Sequence, residues 1–186
     1  QVKYQDQINK KGKEYRTETY DKDCTLYTLA LQKWDRQYMP DEHEEKDRYF
    51  IFPVRSVSVQ LDGHSEGRAT ATEYEYDAWG NTIKTIDYGE VQLDNNAGDF
   101  TDILEDKIES LIHYAHNEEL YFHSFPYAEE TKDSHGNVIS QTRLYYDGLP
   151  QGEITKGNQT KSESLRSLPE DFLVTETFYD EYGLPI

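Results

Sequence analysis

The stretch Tyr74–Glu90, YEYDAWGNTIKTIDYGE, is a polar strand, a tight turn and a second polar strand, with tyrosines where a small core would carry valine or leucine. Asp77 at the first turn position can accept a hydrogen bond from the backbone two residues on, and Gly80 at the fourth supplies a left-handed conformation. Together they predict a type I turn closed by a glycine bulge, a common hairpin connection. The unit recurs. Asp77 to Ile83 (DAWGNTI), Asp133 to Ile139 (DSHGNVI) and Asp180 to Ile186 (DEYGLPI) share the pattern Asp-x-(aromatic or His)-Gly-x-x-Ile. A Tyr-Asp pair recurs as well, at Tyr20-Asp21, Tyr76-Asp77, Tyr146-Asp147 and Tyr179-Asp180. Intervals between copies are irregular, so the chain reads as decorated repeats and not as a strict solenoid.

Working outward, the residues before the turn alternate. Thr70, Thr72, Tyr74 and Tyr76 share one face of a strand, and Ala69, Ala71, Glu73 and Glu75 the other. Similar short strands fit KEYRTETY, TLYTLAL, FPVRSVSVQL, VISQTRLYY and FLVTETFY. Most have no strongly apolar face, which suits a broad thin sheet. Two segments read both ways or as loops. Phe100, Ile103, Leu104, Ile108, Leu111 and Ile112 fall at helical spacing, while Ile108, Ser110, Ile112 and Tyr114 alternate. DEHEEKD (41–47) reads as a solvated charged loop, and EITKGNQTKSESLRSLPED (153–171) as a polar excursion between repeat units.

Composition sets bounds on the chemistry. Of 186 residues, 35% are hydrophobic and 30% charged, which leans toward disorder, but sixteen Tyr, seven Phe and two Trp argue for an ordered chain with much surface. A net charge of -18 repels phosphate backbones, which argues against nucleic-acid binding, and there is no polybasic segment for anionic lipid. No apolar run is long enough to insert in a membrane as a helix, and the first residues contain no signal-peptide core. Both ends read as cut from a longer polypeptide. Cys24 is alone, so no internal disulfide forms.

Candidate sites are each outweighed by plainer readings. His113 and His116 with Glu118 and Glu119 could share a metal on a helix, but on a strand residues three apart face opposite ways. Asp94, Asn96, Asp102 and Glu105 match positions 1, 3, 9 and 12 of a calcium loop, yet Gly98 and Asp99 occupy positions 5 and 6, where a ligand and a glycine belong. Cys24 lies among acids that disfavour a thiolate. His135 fills the turn slot of Trp79 and Tyr182 and reads as a packing residue; His43 and His64 read as solvated. Asn158-Gln159-Thr160 is a sequon that matters only on a eukaryotic secretory route. No nucleophile elbow, phosphate loop or dinucleotide fingerprint occurs. The chain therefore reads as no enzyme, with no catalytic residue, cofactor or metal.

The YxYDxxGN unit carried by Tyr74, Tyr76, Asp77, Gly80 and Asn81 resembles the YD repeat of the RHS family. ATEYEYDAWGNTIKTIDYGEV, IHYAHNEELYFHSFPYAEETKDSHGNVISQTRLYYDGLPQGEITKGN and TETFYDEYGLPI are similar to the shell-forming part of bacterial RHS proteins and toxin-complex (Tc) B-components; teneurins share the repeat in animals. The resemblance covers most of 48–186 and is weaker over 1–47, where strands and the acidic loop lie. It implies an all-β fold in which repeat hairpins build a segment of a large curved or spiral sheet, and it favours the strand reading at 107–114. The implied role is a wall enclosing a toxic C-terminal cargo. The implied partners are neighbouring repeats of the same polypeptide, that cargo and other toxin-complex subunits, in a secreted or cell-surface bacterial protein. Tyr76, Asp77, Gly80, Asp133, Gly136, Tyr146, Asp147, Tyr179, Asp180 and Gly183 are then structural turn residues. The family's terminal autoproteolytic motif has no counterpart in this sequence, so no catalytic role carries over. An adhesion module binding glycan or protein through its tyrosine-rich faces is the alternative. The plainer reading of those rings is cross-strand stacking.

Overall fold

The computed structural model describes residues 1–4, 10–39, 48–167 and 170–186. The acidic loop at 41–47 lies outside these. Twelve strands carry the fold, and no helix occurs among the described residues: β1 Val2–Tyr4, β2 Glu14–Tyr20, β3 Leu26–Met39, β4 Arg48–Gln60, β5 Arg68–Tyr76, β6 Thr82–Leu93, β7 Phe100–Asp102, β8 Ile108–Asn117, β9 Phe122–Lys132, β10 Val138–Tyr146, β11 Gln159–Ser167 and β12 Asp171–Glu176. They form one open antiparallel sheet in the order β1-β2-β3-β4-β5-β6-β8-β9-β10-β11-β12, with β7 hydrogen-bonded to β6 beside that path. Sequence neighbours are thus spatial neighbours almost throughout, as hairpin turns dictate. Residues 108–117, ambiguous in periodicity, are a strand.

The chain divides into two compact units, 1–80 with 85–108, and 81–84 with 109–186. In the first unit the alternation of β5 resolves in favour of its alanines. Ala69 and Ala71 are buried with Leu29, Leu31, Val57, Val59 and Val91. Register explains the choice, because Leu31 pairs with Val57 and Val57 with Ala71, while Leu29 pairs with Val59 and Val59 with Ala69. Two rows across three strands make one small apolar patch on one face. On β4, Phe52 stacks on Tyr76 at 4.6 Å and on Phe50 at 5.3 Å. Pro53 sits opposite Trp34, where the β3–β4 register shifts, so its missing N–H falls at a bulge.

The second unit has its own core of Ala115, Tyr146 and Ile154, with Phe122, Phe125, Tyr127 and Leu144 packed against it. Ile154 comes from no strand. It lies in the connection between β10 and β11, which the sequence marks only as polar. The same polar stretch corrects a second expectation: Gln159–Ser167 is not an excursion but strand β11, paired with β10 and β12. Its alternation is polar on both faces (Thr160, Ser162 and Ser164 against Lys161 and Glu163), so hydrophobic periodicity could not reveal it.

Candidate functional site

Turn chemistry sets the hairpins. The Asp77 carboxylate accepts the N–H of Trp79 at 2.8 Å, and the Gly80 N–H returns to the Asp77 carbonyl at 3.2 Å. Asp133 accepts from His135 and Asn137 at 2.9 and 2.8 Å, and Asp180 from Tyr182 and Leu184, both at 2.9 Å. Gly80, Gly136 and Gly183 all have φ between 80° and 87°, the left-handed region that costs a side-chain-bearing residue. At Asp133 the Asn137 side-chain amide and N–H hold the carboxyl below the usual carboxylate range. A further copy is hidden at Asp21. Its carboxylate accepts from Asp23 and Thr25 at 2.8 and 2.9 Å, and Cys24 stands in the glycine slot at φ 61°. Asn95 does the same for Ala97 at 2.8 Å, with Gly98 at φ 89°. The third turn position is exposed to different degrees: Trp79 is 49% and Tyr182 81% exposed, and His135 is exposed too.

Asp147 belongs to a different construction. Both Asp147 and Gly148 have positive φ, 58° and 71°, and the Leu149 N–H reaches the Tyr146 carbonyl at 2.9 Å, as in a mirror-image type I′ turn. The freed carboxylate ties the far end of the same connection. Its Oδ2 accepts the N–H groups of Thr155, Lys156 and Gly157 at 2.8, 2.7 and 3.1 Å and the Thr155 hydroxyl at 3.1 Å, and its Oδ1 accepts from Asn158 at 3.0 Å. Burial alone would raise its pKa, but the N–H groups of Lys156, Thr155, Gly157 and Asn158 outweigh burial and hold it at about 2. The tied loop delivers Ile154 onto the sheet, where Asn117 Nδ2 donates to the Ile154 carbonyl at 2.8 Å. Gly157 lies against the Phe125 ring so closely that a Cβ would meet it at 2.9 Å.

In the first unit a second segment folds back on the sheet. The hairpin of β6 and β7 brings Phe100 against Tyr88 at 4.9 Å and sets Gly98 over Leu31 and Val57. Arg55 latches it. Its guanidinium donates to Glu73 Oε1 at 2.7–2.8 Å, to the Gly98 carbonyl at 3.2 Å and to Asp99 at 2.9 Å, and it lies 5.0 Å from the Phe100 ring centre. The Tyr88 hydroxyl donates to the other Glu73 oxygen at 3.0 Å. Burial first, then that hydrogen bond, pushes the Tyr88 phenol up to about 12.

An Arg–Glu–Tyr set recurs where sequence inspection found none. Arg16 and Tyr20 both reach Glu18, at 2.7 and 3.0 Å. On β10 and β11, Tyr145 donates to Glu163 at 3.0 Å, beside Arg143 at 3.7 Å and Lys161 at 2.5 Å. The Lys161 ammonium is the leading cause that holds Glu163 below the carboxylate range. Arg-x-Glu-x-Tyr at 16–20 was readable, since alternate residues share a face; the other two sets are assembled across strands.

The remaining candidates dissolve into local contacts. His113 lies beside Tyr127 with ring centres 5.9 Å apart, and His116 beside His123 at 5.8 Å. No group of three His, Cys, Asp or Glu gathers among the described residues. Asp94 accepts the Thr101 hydroxyl at 3.1 Å, and Asp102 accepts the N–H groups of Leu104 and Glu105, both at 3.3 Å. Several tyrosines stack in-sheet, Tyr38 on Tyr49 at 5.7 Å and Tyr146 on Phe125 at 5.6 Å. Tyr146 also donates to the Pro126 carbonyl at 2.7 Å, and Tyr179 to that of Gln159 at 2.9 Å. A cleft of about 550 Å³ opens between the tied loop and residues 176–180.

No protein-family model matches this sequence, and no curated protein matches it. Among solved structures, the fold is similar to that of a chain in the crystal structure of TcdB2-TccC3-Cdc42, with a TM-score of 0.62 over 83% of this chain at 11% identity. The matched region is 10% of that chain's length, so the likeness is one of fold, between this sheet and a small part of a much larger molecule.

Proposed function

We propose that this chain is a segment of a β-sheet wall of the RHS or Tc-toxin kind, whose role is to separate an enclosed polypeptide from its surroundings. The observation that carries this reading is the open sheet itself. Eleven strands follow one another edge to edge without closing, and β1 and β12 end the order with one neighbour each. A closed domain would bury one continuous core; this one buries two small ones and leaves both faces accessible over wide areas. Such a sheet extends by adding hairpins, and the Asp–Gly turns supply a repeatable way to add them. The fold likeness to a Tc toxin component supports the same reading. The mechanism is exclusion: paired backbone and interlocking side chains make a barrier, and no residue is asked to do chemistry. The RHS repeat identity, the presence of a cargo, contacts with other toxin subunits and an exported location belong to this proposal.

The experiment is cryo-electron microscopy of the full-length parent polypeptide. A closed hollow particle with density inside it is the expected result. A solid globule, or a sheet that stays open in the full-length chain, overturns the containment reading.

A further inference from the structure

The cleft between the tied loop and the last hairpin is built unlike the rest of the surface. One wall is residues 155–158, fixed through Asp147. The other is residues 176–180, fixed because the Thr177 N–H donates to the Thr160 carbonyl, the Ile186 N–H to the Phe178 carbonyl and the Tyr179 hydroxyl to the Gln159 carbonyl, each at 2.9 Å. The Phe178 ring, 65% exposed, lines the cleft from this second wall. Among the polar residues that line the same space are Lys156, Asn158, Glu176 and Thr177. None of the four spends its side chain on a hydrogen bond or ion pair with another described residue.

We infer that this cleft binds a neutral pyranose unit of a glycan, with the Phe178 ring as its platform. A pyranose presents a C–H face that packs on an aromatic ring and a rim of hydroxyls that both donate and accept. The cleft offers the complement: an exposed ring on a fixed backbone, a donor in Lys156, an acceptor in Glu176, and both functions in Asn158 and Thr177. Its size suits a small ligand. A strongly anionic ligand meets Glu176 and Asp180, and a cationic one meets Lys156 and Lys161. An extended peptide would need unpaired backbone groups to add as a strand, and the Thr177 N–H and Phe178 carbonyl are already engaged. The inference does not depend on the containment role.

The test is an amide NMR titration of the 186-residue chain with maltotriose, lactose and N,N′-diacetylchitobiose, and separately with a neutral glycine/serine tetrapeptide. The expected result is saturable shifts confined to 155–161 and 176–180 with at least one saccharide and none with the peptide. Phe178→Leu should weaken binding about tenfold, and Phe178→Tyr should retain it, since the ring face and not apolarity is the contact. Three results each overturn the inference: no saturation with any saccharide by about 10 mM, saturation of the cleft by the peptide instead, or unchanged affinity in Phe178→Leu. Because Phe178 is exposed, both variants keep the fold, which their unperturbed amide spectra verify.

Discussion

The two units meet one shortage in opposite ways. Each is a sheet face of small and polar residues that cannot make a core alone, and each borrows one by folding a connection back over it. In the first unit the borrowed segment is the β6–β7 hairpin, held by a cation, Arg55, whose contacts are mostly with side chains. In the second it is the 147–158 loop, held by an anion, Asp147, whose contacts are mostly with backbone N–H groups. An ion-pair latch depends on long side chains staying in place and on modest screening. A carboxylate surrounded by N–H groups fixes the chain itself and frees several backbone donors at once, two of them part-buried, if it is lost. The second device should therefore be the more costly to remove.

Asp147→Ala makes the strongest test. It strands five donors and should destabilise the second unit by about 3 kcal/mol in chemical denaturation. Hydrogen exchange at the amides of 155–158 should rise toward the open-loop limit while β2–β5 keep their protection. Asp147→Asn tolerates the same positive φ but retains a single acceptor oxygen, so about half of the loss is expected. Protection at 155–158 that survives Asp147→Ala would show that the loop is held by Ile154 burial instead. Arg55→Ala should cost less, about 2 kcal/mol, because its side chain is 22% and that of Glu73 29% exposed. Raising salt toward 1 M should narrow the gap between wild type and Arg55→Ala and leave the Asp147 gap in place.

The same contrast separates the two devices by pH. Asp147 falls on folding from 3.8 to about 2, so the unfolded chain takes up its proton first. The stability it supplies is complete above about 4 and drains away as pH falls through about 2. Tyr88 rises on folding from 10.0 to about 12, so its contribution is complete below about 10 and is lost as pH rises through about 12. Acid should loosen the 147–158 loop as pH falls through about 2, and alkali should loosen the Tyr88 contact as pH rises through about 12. Following the Tyr88 ring by NMR should show a phenol titrating well above the ordinary range, and Glu73→Gln should bring that midpoint down. A midpoint at 10 would mean that the β6–β7 hairpin is not seated on the sheet.

What could be read in the sequence, and what could not, divides along the range of the chemistry. Asp77, Asp133 and Asp180 were legible because an Asp-x-x-Gly turn is decided within four residues. Asp147 carries the same Tyr-Asp dipeptide but is followed at once by Gly148, and its partners lie eight to eleven residues on. That spacing, with the Gly157-Asn158 pair beyond it, was the available signal. The cores were illegible for a different reason. Ala69 and Ala71 look like filler beside Tyr74 and Tyr76, and Ile154 sits alone in a polar stretch; burial was set by what folded over them, a long-range event. Arg55 and Glu73 meet only because β4 and β5 register them opposite each other. Strand β11 escaped because neither of its faces is apolar, so it is held by pairing with β10 and β12 and by the Glu163 cluster.

The smallest expected effect sharpens the comparison of the Asp–Gly turns at one atom group. Cys24 occupies the position that Gly80, Gly136 and Gly183 fill in the other turns, at φ 61°. A side chain there costs about 1–2 kcal/mol relative to glycine, while glycine gives back part of that through a more flexible unfolded chain. Cys24→Gly should therefore stabilise the first unit by about 0.5 kcal/mol. Gly136→Ala tests the reverse direction cleanly, because a Cβ at Gly136 meets no atom within 4 Å and only the backbone conformation is penalised. At Gly80 the same change adds a collision with the Phe50 ring at 3.0–3.3 Å and should cost more. If Gly80→Ala and Gly136→Ala cost the same, the turn at Asp77 is not seated on the Phe50 ring, and the backbone conformation alone sets the register of the hairpins.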